Sequence, residues 1–182
     1  MSYIMTDEFT EKMESDWRGY DSNCEDAIRP IGEGEKQPLR ESLDLMMSNV
    51  MEKESTIVSN LKKMDRLQTQ ERPEIIKRTC EVTYEITSLS AIMTSIMEST
   101  IHRLDSCMAS SPESAYVDMK IKHLRHLASI FEPTMDALAS IQDIVLDESE
   151  TSSTIDIPGQ LDIISKNLIY LKGASRIRYH LR

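Results

Sequence analysis

From residue 35 to residue 158 the chain contains no glycine. That run restricts the fold more than any other feature. Tight turns between strands depend on glycine for its positive φ, and a sheet-rich fold would need several of them here. All five glycines (Gly19, Gly32, Gly34, Gly159 and Gly173) stand outside the run. The reading is all-α. It takes the form of a long antiparallel helical hairpin within a helical bundle or coiled coil, with a mobile acidic N-terminal arm and a short basic C-terminal tail. Composition agrees, with 40% apolar residues but only 5% aromatic ones, and 12 Met against 2 Phe and 1 Trp. Leu, Ile and Met are the filling of packed helices rather than of sheets.

The longest helical pattern covers residues 73–108, roughly 50 Å at 1.5 Å per residue. Pro73 fits a first turn, where a missing N–H costs nothing, and Glu74 suits the positive end of the dipole. Ile75, Val82, Leu89 and Ile96 fall on one heptad position. Thr79, Ile86, Met93, Thr100 and Cys107 fall on the other. The stripe then drifts to Met97, Ile101, Leu104 and Met108, as a straight helix does against a strict heptad. Cys80, Val82, Tyr84 and Ile86 alternate with polar residues in the manner of a strand. The sustained 3.5-residue period and the lack of a turn signal favour helix.

Residues 39–68 form a second pattern behind Pro38. Leu43, Val50, Ile57 and Met64 hold one position; Met47, Glu54, Leu61 and Gln68 hold the other. Glu54 is read as a solvated charge where the seam splays. The link to Pro73 is short, which predicts an antiparallel pair. Two long stripes need apolar cover. Leu43, Val50, Ile57, Leu61, Val82, Ile86, Leu89, Met93 and Ile96 are therefore the expected contacts with other helical proteins, or with further copies of this chain.

Residues 112–146 supply the third helical pattern of this 38–146 unit. Ser110 and Ser111 offer caps and Pro112 a first turn. Val117, Ile121, Leu124, Ala128 and Phe131 share one face, and Met135, Leu138, Ile141 and Val145 resume it beyond Pro133. The proline predicts one kinked rod or two helices in tandem. Residues 147–158 read as an acidic Ser/Thr linker. Ser153 has an acid three residues on and is a candidate phosphate acceptor, although a plain solvated linker explains the stretch as well. Residues 159–182 hold a last helix, with Leu161, Ile164, Leu168 and Leu171 on one stripe and Gly173 as a stop.

The two ends carry the other candidate contacts. In the arm, residues 1–37, Met5, Phe9, Met13 and Trp17 recur every four residues among acids. Such a segment suits a partner's groove, or the chain's own bundle. Residues 21–37 follow as an acidic linker with Pro30, Gly32 and Gly34. In the tail, Arg176, Arg178, His180 and Arg182 alternate with Ile177, Tyr179 and Leu181. Arg176, Arg178, Tyr179 and Arg182 join Phe9, Met13 and Trp17 as expected partner contacts.

Net charge is −10. An acidic body repels phosphate, so nucleic-acid contact is expected only through the tail. Cys24, Cys80 and Cys107 are few and far apart, which reads as reduced thiols. The longest uncharged run is about half a membrane span. Together with the absence of a leader pattern, this gives an expectation of an intracellular chain, cytoplasmic or nuclear, without a membrane span. His123 and His126 lie three apart but lack further ligands, and are read as surface histidines. No phosphate loop, nucleophile motif or metal signature occurs, so no cofactor and no catalysis are expected. The function expected is that of a non-catalytic interaction or scaffold subunit of a helical assembly. The alternative is a regulator of a nucleic-acid machine that works through its two ends.

Overall fold

A computed structural model describes residues 29–67, 73–147 and 155–176 of the chain. A 3-10 turn at Glu33–Glu35 leads into four α-helices: α1 Lys36–Asp65, α2 Pro73–Ser106, α3 Pro112–Leu146 and α4 Ile157–Ser175. Among the described residues there is no strand, so the all-α reading holds. The strand-like alternation at 80–86 lies inside α2.

Side-chain pairs fix how the helices run. Between α1 and α2, Lys36 Nζ donates to the Cys107 carbonyl at 2.7 Å, Arg40 pairs with Asp105, and Ser90 donates to Glu54 at 2.8 Å. As one number rises the other falls, so these helices run in opposite directions. Between α1 and α3, the pairs Ser42–Arg125, Lys53–Asp136 and Asn60–Asp143 keep a constant separation of 83 residues, which makes the helices parallel. Arg78–Asp162 and Glu85–Lys172 likewise align α4 with α2. The described residues of α1 and α4 do not touch. The central pair is therefore α2 and α3, with α1 laid along one side and α4 along the other.

The core follows the heptads. Leu43, Val50, Ile57, Ile86, Leu89, Met93, Ile121, Leu124 and Phe131 are all completely buried. Each such side chain is worth about 1.5–3 kcal/mol of transfer free energy. A smaller cluster of Leu61, Met64, Ile76 and Cys80 closes the end where α1 stops and α2 starts. Ser111 caps α3 by accepting from the Ser114 N–H at 3.1 Å, and Ser110 makes the preceding turn with φ 59°.

Several expectations need correction. Residues 29–37 are not a loose linker. Ile31 is 1% exposed, donates its N–H to Ser114 Oγ at 3.0 Å and accepts from the Ser110 N–H at 2.9 Å. α1 begins at Lys36 and ends at Asp65, inside the expected limit at 68, and α2 stops at Ser106, leaving Met108 79% exposed. Of the two readings at Pro133, the tandem pair falls away and the single rod stands, since α3 is continuous through it. Gly173 does not stop α4, which continues to Ser175. Glu54 is half-buried and hydrogen-bonded rather than solvated.

Candidate interaction surface

The residues expected to form a seam with other chains are used inside this one. Leu43, Val50, Ile57, Val82, Ile86, Leu89 and Met93 lie in the main core, Leu61 in the smaller cluster, and Ile96 packs against the core half-buried. The cause is the length of α3 and the parallel placement of α1 beside it, which together cover both stripes. A partner that binds the folded bundle must therefore meet other residues. Of the expected end contacts, Arg176 follows α4 and is exposed. Phe9, Met13, Trp17, Arg178, Tyr179, Arg182 and Ser153 lie outside the described residues.

His123 is buried, not at the surface. It sits one position before the core residue Leu124, and its Nε2 lies 3.1 Å from the Ala174 carbonyl. That carbonyl belongs to the last turn of α4, where acceptors have no partner within the helix. Among the described residues, no group of three or more His, Cys, Asp or Glu is placed to hold a metal ion. Cys80 and Cys107 are buried thiols outside any disulfide, and Cys80 donates to Asp65 at 3.9 Å. No described helix is long and apolar enough to cross a membrane.

The outer surface of the α1–α2 pair has a different character from the rest. Residues 86–97 of α2 carry no charge, in a chain that is 29% charged. Ile86, Leu89, Met93 and Met97 point inward. Facing out are Ser88, Ala91, Ile92 and Ser95, all exposed, with Tyr84 one turn earlier. Ile92 is 41% exposed and Tyr84 55%. Across the α1–α2 groove, Met51 is 54% exposed and Val58 half-exposed. Glu81 and Glu98 of α2 and Glu52 of α1 are exposed on the same two helices, whereas Glu85 turns to α4 and pairs with Lys172. The small side chains of Ser88, Ala91 and Ser95 let a second helix approach closely, near the 8 Å end of interaxial distances. This patch was not recognised in the sequence, where the same uncharged run bore only on membrane crossing.

A second depression, of about 380 Å³, lies between α1 and α3 beside Ser42, Met46, Arg125, Glu132, Pro133 and Asp136. Two of its charges are already engaged: Arg125 donates to Ser42 at 3.3 Å and Asp136 pairs with Lys53. Burial pushes the Glu132 carboxyl above its ordinary range, against the opposing pull of Lys53. The depression carries charged side chains (Arg125, Glu132 and Asp136) where the α2 face has none, which makes the α2 face the better docking surface.

No protein-family model, curated protein or solved structure matches the chain.

Proposed function

We propose that this chain is a non-catalytic interaction subunit of a helical assembly, and that it docks a partner helix on the neutral outer face of α2. The observation that carries the reading is the charge-free exposed surface of residues 86–97, with Tyr84 and Ile92 standing out of it. A solvated helix face ordinarily carries polar and charged residues. Here three turns are left neutral, with exposed acids at Glu52, Glu81 and Glu98. Ile92, Tyr84 and Met51 are 41%, 55% and 54% exposed, so covering each recovers roughly half of the 1.5–3 kcal/mol that full burial of an apolar side chain is worth. These acids select a partner helix whose apolar stripe is flanked by Lys or Arg, and they set the binding register more than the affinity.

The test compares variants in cells that make the chain. Ala91→Arg and Ser95→Asp place charges in the middle of the face without touching the core. Lys62→Glu, on exposed α1 surface, is the control. One discrete partner should be held by the wild type and the control and lost by both face variants, with melting unchanged. A partner retained by both face variants would refute the reading.

A further inference from the structure

α4 is 19 residues long, while α2 and α3 have 34 and 35. It therefore covers only part of the groove between them. Its last turn lies level with Glu85, through Lys172, and with His123, through Ala174. Beyond that level α2 continues to Ser106 and α3 reaches back to Pro112. From Glu85, heptad and half-heptad steps along the same edge of α2 give Ile92, Ile96 and Arg103, so Ile92 borders both the outer face and this half-groove. From His123, the same steps back along α3 give Tyr116, Met119 and Lys120. The two sets meet, because the Arg103 guanidinium lies 5.5 Å from the Tyr116 ring centre and Lys120 Nζ 6.0 Å from it. The half-groove therefore has an apolar floor in half-buried Ile96 and buried Met119, 8% exposed, with two cations beside it. No described helix lies along it. On the opposite side of α2 and α3, α1 runs the full length.

The N-terminal arm joins the bundle at this same end. Ile31 is anchored to Ser110 and Ser114, at the start of α3. Residues 1–28 precede it and hold 8 acids and 2 bases. Within them Met5, Phe9, Met13 and Trp17 recur every four residues. A helix over residues 6–18 would be about 20 Å long, and the uncovered part of α2, residues 89–106, is about 27 Å at the same rise. The 13 residues between Trp17 and the anchored Ile31 can span about 40 Å when extended, enough to reach any point of the half-groove.

We propose that the arm, residues 6–18, folds as an amphipathic helix into this half-groove of its own chain and supplies the cover that α4 is too short to give. Phe9, Met13 and Trp17 would lie on Ile96 and Met119, and the arm's carboxylates would meet Arg103 and Lys120. Burial and then repulsion from Arg103 push the Lys120 ammonium below its ordinary range, and a carboxylate beside it would oppose both effects. The C-terminal tail also starts near the half-groove. Arg176, Arg178 and Arg182 would bring like charge to Arg103 and Lys120, so the tail is the weaker occupant.

Trp17 is the chain's only tryptophan, which makes its fluorescence a direct reporter. In the full chain at low concentration, Trp17 emission should be blue-shifted and protected from acrylamide. The double variant Arg103→Glu/Lys120→Glu should shift the emission to the red and raise quenching several-fold, with helicity unchanged. Independently of that variant's folding, deleting residues 1–28 should raise amide exchange in residues 112–122, and deleting residues 177–182 should not. Three results would overturn the proposal: a solvent-exposed Trp17 in the wild type, burial that appears only as concentration rises (a second copy in the groove), or exchange in 112–122 that responds to loss of the tail rather than of the arm.

Discussion

Gln142 on α3 donates to the hydroxyl of Thr83 on α2 at 3.0 Å, and both side chains are completely buried. The same amide nitrogen reaches the Ile57 carbonyl of α1 at 3.1 Å, while Thr83 passes its own proton to the Thr79 carbonyl at 2.7 Å. One polar side chain thus ties three helices at one level and fixes their register. Gln142→Ala removes this tie and leaves a cavity, and should cost about 2–4 kcal/mol in chemical denaturation. Thr83→Val keeps the volume and should cost only about 1 kcal/mol. Equal losses would show that packing alone matters at this level.

Leu89 lies at the centre of the core with no exposed surface. Leu89→Asp buries a carboxylate among apolar side chains and should abolish cooperative unfolding of the isolated chain. A variant that melts like the wild type but no longer assembles would return Leu89 to an inter-chain seam. Circular dichroism melting distinguishes the two.

Pro133 sits inside α3 and deprives the Ser129 carbonyl of its helical partner. Pro133→Ala restores that hydrogen bond and should stabilise the bundle by about 1–3 kcal/mol, read as a higher melting temperature. A lower one would mean that the ring's packing beside Met46 outweighs the lost bond.

Glu35 accepts from Arg29 at 2.7 Å and from the Gly32 N–H at 2.8 Å, and these contacts hold its carboxyl down at about 2. A carboxylate depressed on folding lends stability above its ordinary titration range. That stability fades as pH falls through the folded value. The Glu35 carboxyl resonance should therefore titrate near pH 2. Arg29→Ala should raise that midpoint toward the ordinary range, and an unchanged midpoint would leave the Gly32 bond as the sole cause.

The four helices were legible because their signals are local: heptad spacing, Pro73 and Pro112 in first turns, and a serine cap at Ser111. What covers each stripe was not. A stripe such as Val82, Ile86, Leu89 and Met93 demands apolar cover without saying whether the cover comes from the same chain. The parallel packing of α1 on α3 answers that and depends on long-range contact. Ile31 was missed because one apolar residue among glycines and acids has no periodicity. Gln142 did leave a signal: it stands seven residues beyond Met135 on the heptad that runs from Ile121 through Ala128. The neutral face of α2 was visible as an uncharged run, but its outward half separated from its inward half only once the core was known.

The most direct test of the interaction account is photocrosslinking in the cells that make the chain, with a photoreactive residue placed in turn at Ser88, Ala91 and Ser95, and at exposed Glu113 as the control. The account predicts one discrete adduct with a second polypeptide from the three α2 positions and none from position 113. No adduct from the α2 positions, or the same adduct from all four, would contradict it.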